Sequence, residues 1–404
     1  MRRLGAAPPG GMRRRVCDPI ADSGISSRNR GDIVKRVVMN ALQYKQNSSG
    51  IGVMIRELFS RYTALTPRGS VVVLPQSGPE LHTAGRTQQV RIPWTYQQNL
   101  RRMLFQTVTL GARYGKDSVL LTTDSKIPLV LPKSCVLVPL ITDLAVFRMP
   151  EVYQLSRVLW WRLQYRYLCR RADLFLTISQ FTKSELHQLL HIPEEKIHVL
   201  PCAASDRFAP VRNPAQLEAV RSKYGLPEQF VLFVGNNNPR KNLKRMMGAF
   251  DAVAEKLPHH LVIAGEQGWK FRPEEARKTL RHPQKVHFIG YVPDEDMPAL
   301  YSLAGLFLFP SLYEGFGIPI LEAQQCGVPV LASRGSAMDE VGGAGALYVD
   351  PYQEDAIGDG ILRVLQNSDA AETLRQAGFE NAKRFSWERS AQMLNQIIEE
   401  EVVP

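Results

Sequence analysis

The 404-residue chain has little cysteine, and its cysteines are not spaced as a scaffold. The five of them lie far apart and form no CxxC pair: Cys17, Cys135, Cys169, Cys202 and Cys326. This excludes a disulfide-rich fold and a zinc ribbon, and it favours a reducing cytoplasm. A disordered or collagen-like chain is also excluded, because hydrophobic residues make up 44% and charged residues 22%.

Long hydrophobic runs are missing as well. The longest stretch without a charged residue lies between Asp296 and Glu314, and it contains Pro298 and Pro310. We therefore expect a helix end followed by a buried strand there, not a membrane span. The N-terminal residues are rich in Arg, Gly and Pro and lack an apolar core, so we interpret residues 1–31 as a disordered basic tail and not as a secretory signal.

Positive charge is concentrated in one half of the chain. The formal net charge is +11, with +5 in residues 1–30, +11 in residues 31–210 and −5 in residues 211–404. Such a basic half is typical of proteins that contact nucleic acid, an anionic membrane or a phosphorylated substrate. Nucleic-acid binding would need base-stacking aromatics or a reading helix, and only residues 148–171 offer that pattern. We therefore expect no nucleic-acid partner.

Short apolar runs alternate with helical patterns from residue 33 onward. This alternation predicts parallel sheets with helices on both faces. Six such runs precede a break at residues 205–228, where proline and charge density rise, and six follow it. We predict an α/β protein of two Rossmann-like, doubly wound domains, residues 32–208 and 209–385, which face each other across a cleft. Residues 386–404 are predicted to form a helix that crosses back to the first domain.

The most informative segment is residues 310–327, which follows a predicted strand and opens a helix. Gly315 and Gly317 would let a ligand approach the free N–H groups of the helix start, which form an anion site. Glu322 is predicted in the first turn, where the helix dipole favours a carboxylate, and it can accept both hydroxyls of a ribose. Glu314 precedes the loop and can bind the hydroxyls of a sugar. The alternative is an ordinary strand–turn–helix with two solvated glutamates.

A second turn, residues 234–242 with the sequence VGNNNPRKN, places Arg240 and Lys241 where a helix begins. Cations are unfavourable at a helix N-terminus unless an anion neutralises them. A diphosphate would neutralise them. The arginine guanidinium would bind it through two parallel N–H donors, and the lysine ammonium would act as a single compact charge. The alternative is a solvated basic turn.

A third turn lies at residues 47–52, ahead of a helix predicted to run to about Arg61. Gly50 and Gly52 would let the backbone approach a phosphate or a sugar ring, although a bare GxG pattern is common. The pattern is compatible with a structural turn and with a ligand loop.

These motifs resemble those of retaining glycosyltransferases of family 4, which have the GT-B fold, and among them mannosyltransferases. The resemblance covers roughly residues 33–400. It rests on the two glutamates and on these segments: SGIG (49–52), VGNNNPRKN (234–242), LVIAGEQGW (261–269), FIGYVPDEDMPALY (288–301), PVLASRGSAMDEVGGAGALYVDP (329–351) and FSWERSA (385–391).

The resemblance implies a nucleotide-sugar donor held mainly by the second domain, and retaining transfer of a hexose such as mannose from GDP-mannose. Glu322 would bind the ribose, Glu314 the transferred sugar, and the catalytic cations Arg240 and Lys241 the diphosphate. The remaining implied donor contacts are Gly50, Gly52, Val292 beside the base, and the amides of Gly315, Phe316 and Gly317. No metal or other cofactor is expected, because cations and the helix dipole take the place of Mg²⁺. A UDP-sugar is the alternative donor.

The sequence departs from the family pattern at three places. Thr142 precedes Asp143 where many members have a histidine. Cys202-Ala203-Ala204 stands where a turn is often Asn-Gly, and Asn236 where an arginine often follows the glycine of the phosphate turn. Because of Thr142, a non-catalytic, glycosyltransferase-like binding protein is a further alternative.

The acceptor is expected on the basic first domain. Residues 148–171 combine five arginines between Arg157 and Arg171 with four aromatics, Trp160, Trp161, Tyr165 and Tyr167. This composition is typical of a helix on anionic headgroups. We predict a cytoplasmic protein, peripheral on the inner face of the plasma membrane, with a growing polysaccharide or lipid-linked glycan as acceptor. Packing of Trp160 and Leu163 on the sheet is the alternative.

Overall fold

The computed structural model describes residues 36–45, 50–93, 99–123, 128–266 and 272–403. The predicted basic tail and the first residues of the 47–52 turn lie outside the described residues.

Within the described residues, the first domain has a sheet of seven parallel strands in the order β3-β2-β1-β4-β5-β6-β7. The central strands are buried along their whole length, because helices cover both faces of a parallel sheet. The strands are β1 Arg36–Asn40, β2 Gly69–Pro75, β3 Thr87–Ile92, β4 Ser118–Thr123, β5 Val136–Ile141, β6 Phe175–Thr177 and β7 Ile197–Val199.

The second domain, where described, has six parallel strands in the order β10-β9-β8-β11-β12-β13. They are β8 Phe230–Val234, β9 His260–Ala264, β10 Val286–Gly290, β11 Leu306–Phe309, β12 Val330–Ser333 and β13 Ala346–Val349. The predicted pair of doubly wound domains is thus confirmed.

The helices connect these strands in the right order for parallel crossovers. Those of the first domain are α1 (Gly50–Met54, a π-helical turn Ile55–Phe59, then Ser60–Leu65), α2 (Asn99–Leu104, a π-helical turn Phe105–Thr109, then Leu110–Tyr114), α3 Ala145–Arg148, α4 Leu155–Arg171 and α5 Gln180–Leu190. Those that follow are α6 Pro214–Tyr224, α7 Leu243–Val253, α8 Pro273–Arg277, α9 Met297–Ser302, α10 Ile318–Gln325, α11 Ala337–Gly342, α12 Glu354–Leu365, α13 Ser368–Ala382 and α14 Trp387–Gln396, which continues as Ile397–Val402.

Each sheet reverses its strand order beside its first strand, between β1 and β4 and between β8 and β11. Loops at the carboxyl ends of strands diverge at such a point and leave a crevice. The turns after β8 and β11 contain Arg240, Lys241 and Glu314, so the topology itself places these predicted site residues at one crevice.

The C-terminal helix lies against the first domain. Arg61 of α1 donates to Glu388 at 2.5 Å, and the Ser390 hydroxyl donates to the carbonyl oxygen of Pro201. In the continuation of α14, Glu399 forms an ion pair with Arg68 of the first domain at 3.0 Å. These contacts connect the end of the chain to the domain in which it began.

Candidate active site

A cleft of about 410 Å³ lies between the carboxyl ends of the two sheets. The first domain contributes the start of α1 and the residues after β5, including Thr142 and Asp143. The second domain contributes most of the predicted donor residues: Arg240, Lys241, Val292, Glu314, Gly315, Phe316, Gly317 and Glu322.

The glycine turn of the first domain is only partly as predicted. The helix begins at Gly50, which lines the cleft, and not after Gly52. Gly52 is buried inside the first turn of α1 and is not part of the cleft wall. Its backbone N–H is among the first N–H groups of α1, which have no acceptor within the helix, but Gly52 does not line the cleft.

The basic turn after β8 is fixed by its backbone. Pro239–Lys241 form a single 3₁₀ turn, which Asn242 ends in the left-handed conformation with φ +59°. The Asn242 side chain donates to the carbonyl oxygens of Pro310 at 3.1 Å and Pro351 at 2.7 Å. These bonds hold the turn against the end of β11, so Arg240 and Lys241 face Glu314.

These charged side chains form a compact ion cluster. The Lys241 ammonium lies 2.8 Å from Glu314 Oε1 and 4.5 Å from the centre of the Phe309 ring. The Arg240 guanidinium lies 3.8 Å from Glu314 Oε2 and 3.2 Å from Asp143 Oδ2. Two cations therefore meet two carboxylates, and the anion that the basic turn requires is supplied within the chain.

The cluster holds Glu314 as a carboxylate. Burial opposes its ionisation, but Lys241 and Arg240 outweigh burial and lower the pKa of Glu314. Burial lowers the pKa of Lys241, and the attraction of Glu314 only partly compensates. Burial also disfavours charge on Arg240, yet Glu314 and Asp143 raise the pKa of its guanidinium.

Gly315 is required by the close approach of the two domains. A Cβ at this position would lie 1.9 Å from the carbonyl oxygen of Thr142 and 2.9 Å from Cβ of Asp143. The Gly315 carbonyl oxygen accepts a hydrogen bond from the Ser179 hydroxyl at 2.7 Å. Gly317, with φ +109°, then starts α10, whose first N–H groups have no acceptor within the helix.

Glu322 lies in the second turn of α10, so its predicted place in the first turn is wrong. The helix begins at Ile318, and Pro319 occupies the first turn instead. The Tyr301 hydroxyl donates to Glu322 Oε2 at 2.8 Å. Burial raises the pKa of Glu322 to about 7, against the smaller opposite effect of the Tyr301 hydrogen bond.

Two other predicted residues lie in the cleft wall with limited exposure. Val292 is 6% exposed, and the Phe316 side chain packs edge-on against Phe385 at 5.7 Å. The prediction for Phe316 concerned its amide, and the residue lines the cleft.

Sequence reasoning missed the polar contacts that join the domains at the cleft. The Tyr313 hydroxyl, from the second domain, donates to buried Glu185 and accepts the Leu144 N–H at 3.0 Å. Arg148 donates to the other oxygen of Glu185 at 2.5 Å. Asp143 was not predicted as a site residue, although its position two residues after the buried strand β5 was an available signal.

A second contact across the interface caps α5. The Glu340 carboxylate, on α11 of the second domain, accepts the backbone N–H groups of Gln180 and Phe181 at 3.0 and 3.1 Å. A carboxylate is favoured at a helix N-terminus.

Across the described ranges, no group of three or more His, Cys, Asp or Glu side chains is arranged to hold a metal ion. Within the same ranges, no helix is both long and apolar enough to cross a membrane.

Two family models match the chain. The model for glycosyl transferases group 1 matches residues 218–381, and the model for glycosyltransferase family 4 matches residues 143–206. Together they cover more than half of the 404 residues. This chain belongs to the group 1 glycosyltransferases.

Curated relatives in this family include mannosyltransferases of Escherichia coli. O-antigen chain mannosyltransferase B is 36% identical over 252 residues, which are 61% of this chain and 65% of that protein. Serotype-specific mannosyltransferase WbdA is 29% identical over 233 residues, which are 55% of this chain and 28% of that protein. Each match thus spans less than two thirds of the relative.

The fold is shared with solved glycosyltransferase structures. Sucrose-phosphate synthase from Thermosynechococcus elongatus superposes with a TM-score of 0.71 at 18% identity, over 90% of this chain and 98% of that one. This structural similarity identifies the two-domain architecture of this chain as the GT-B fold.

Proposed function

We propose that this protein is a retaining glycosyltransferase that transfers mannose from GDP-mannose to a growing polysaccharide or lipid-linked glycan. The convergence of Glu314, Lys241, Arg240 and Glu322 in one cleft between two domains carries the proposal. Both E. coli relatives are named as mannosyltransferases, which supports the choice of sugar.

Donor binding would exchange ionic partners within the cluster. Lys241 and Arg240 already pair with Glu314 and Asp143, so a diphosphate would take over part of those contacts. Glu314 would then be free to accept hydrogen bonds from the hydroxyls of the transferred sugar. The N–H groups at the start of α10 offer further donors to the sugar-phosphate.

The same cations would assist bond cleavage. Negative charge grows on the diphosphate as the glycosidic bond breaks, and preorganised cations in a buried site stabilise it. Glu322 would hold the ribose, and the loop after β5 would border the acceptor. The proposal assigns no protein nucleophile, since retention by a front-face route, with the acceptor deprotonated by the departing phosphate, needs none.

The test is transfer from GDP-mannose to an α-mannose disaccharide, followed by NMR of the anomeric proton of the product. We expect an α-linked product, which retains the donor configuration. Glu314→Gln keeps the shape of the side chain but removes the carboxylate, and it should lower kcat by roughly a hundredfold or more. The matched control is Glu228→Gln, because Glu228 is exposed and lies outside the cleft.

Other outcomes have distinct meanings. Transfer from UDP-glucose but not from GDP-mannose would keep the enzyme and replace the donor. Donor binding without turnover of any nucleotide sugar would favour a binding protein, and a β-linked product would contradict retention.

A further inference from the structure

The solvent side of α4 carries a row of leucines. Leu155, Leu159 and Leu163 follow at intervals of four residues and are 73%, 57% and 61% exposed. The opposite side packs on the sheet through buried residues such as Val158 and Leu168. Residues four apart lie on one helix face, so the leucines form a continuous apolar stripe in solvent.

Beside this stripe runs a row of arginines at the same spacing. Arg162, Arg166 and Arg170 are exposed, and α4 has five arginines and no acidic residue. Trp160 is also exposed, whereas Trp161 packs against Tyr153 at 5.4 Å. The alternative, in which Trp160 and Leu163 pack on the sheet, is therefore not observed.

Neighbouring segments extend the apolar stripe. Exposed Leu129 and Val130 lie next to α4, because the Tyr167 hydroxyl donates to the Leu129 carbonyl oxygen at 3.1 Å. The Leu129 N–H in turn donates to the Thr107 carbonyl oxygen of α2 at 2.6 Å. The solvent side of α2 adds Leu104 and Val108. We call the leucine and arginine rows of α4, with Leu104, Val108, Leu129 and Val130, the basic-apolar surface.

Two consecutive arginines of α2 differ in their exposure beside this surface. Arg101 is exposed, whereas Arg102 is only 9% exposed. The helical periodicity explains this, since adjacent residues lie about 100° apart around the axis.

We propose that the basic-apolar surface docks the first domain on a bilayer of anionic phospholipid. The leucines would enter the boundary between headgroups and acyl chains, and the arginines would lie at the phosphates. Charge complementarity favours an anionic bilayer as the partner. A row of arginines beside a row of leucines matches a surface with phosphate headgroups on the outside and acyl chains beneath them. None of these residues lines the cleft, so docking is independent of the proposed transfer activity.

Flotation of the full-length protein with vesicles, in the absence of donor, tests the proposal. One vesicle set contains phosphatidylcholine and phosphatidylglycerol, and the other contains phosphatidylcholine alone. We expect binding to the anionic vesicles only, and weaker binding as salt is added. Arg162→Gln/Arg166→Gln should lower the partition coefficient roughly 30-fold at low salt, given about fivefold for each arginine at the surface.

Leu159→Ser/Leu163→Ser should lower binding by roughly tenfold or more, because it removes apolar area from the contact. The matched controls lie outside the surface and are exposed: Lys256→Gln/Arg363→Gln for charge and Leu65→Ser for an exposed leucine. Both should bind as the wild type does. Failure of the wild type to float with anionic vesicles, equal binding to both vesicle sets, or unchanged binding of both surface variants would overturn the proposal.

Discussion

At the scale of single residues, the ion cluster around Glu314 decides what the cleft can hold. Two partly buried cations close to one carboxylate, with Asp143 paired to one of them, form a site that can exchange a carboxylate for a phosphate. The cluster is neutral without a ligand, which explains how Arg240 and Lys241 are tolerated in a partly buried turn.

Replacement of Lys241 tests its role toward the diphosphate. Lys241→Ala should weaken GDP binding by roughly 10- to 100-fold, the range of a charge-assisted hydrogen bond, and leave guanosine binding almost unchanged. Calorimetric titration of both ligands measures the difference. The control is Lys244→Ala, an exposed lysine three residues further along the chain, in the first turn of α7. Equal losses for GDP and guanosine would show that the lysine does not act on the phosphates.

Glu322 predicts a pH dependence of donor binding. Its pKa is raised to about 7 by burial, so the carboxyl is protonated below that pH and can accept only weakly from two ribose hydroxyls. GDP affinity should therefore fall by about tenfold for each pH unit below 7 and level off above it. Titration from about pH 5 to about pH 8 measures this.

The same shift affects stability with a definite sign. A carboxyl whose pKa is raised in the folded state stabilises the protein below the unfolded pKa, and this contribution is lost as the pH rises toward 7. The wild type should therefore lose more stability over this interval than Glu322→Gln does, by up to about 3 kcal/mol. Parallel profiles for the two proteins in denaturant titrations would contradict the raised pKa.

At the scale of elements, the loop from β11 to α10 is shaped by Gly315. The sequence predicted this loop because two glycines separate an apolar strand from a helix with Pro319 in its first turn. The predicted position of Glu322 was one turn too early, because glycine and proline signals do not determine which residue begins a helix. Strand β3 was not predicted, because its polar residues on an exposed edge give no apolar run.

Gly315→Ala should force the domains apart, because the new Cβ would lie 1.9 Å from the Thr142 carbonyl oxygen. We expect a larger radius of gyration by small-angle scattering and a loss of transfer activity, with each domain still folded. At Gly69 the nearest heavy atom to an added Cβ is 3.9 Å away, so Gly69→Ala serves as the control. An unchanged scattering profile for Gly315→Ala would show that the domains do not depend on this approach.

At the scale of the whole molecule, the contacts between the domains define the cleft. Tyr313 and Glu340 reach from the second domain to Glu185 and to the start of α5. Neither contact was predictable, because periodicity and turn signals describe local structure and not the placement of one domain against another. The topology was predictable because strands and helices alternate so regularly along the chain.

Tyr313→Phe should weaken the closed arrangement. The substitution removes the hydroxyl that pairs with the buried Leu144 N–H and with one oxygen of Glu185. The free energy of unfolding should fall by about 1–3 kcal/mol. Denaturant titration measures the change, and Tyr352→Phe, at an exposed tyrosine, is the control. A free energy of unfolding equal to that of the control would contradict a stabilising role for this contact.

Thermal unfolding with GDP, GDP-mannose, UDP and UDP-glucose tests the cleft as a nucleotide-sugar site most directly. A ligand that binds only the native state at about 100 times its Kd stabilises it by about 2.7 kcal/mol, which raises Tm by several degrees. We expect GDP and GDP-mannose to raise Tm in the wild type and in Lys244→Ala, but hardly in Lys241→Ala. A Tm unchanged by all four nucleotides, or raised equally in Lys241→Ala, would contradict the assignment of the cleft.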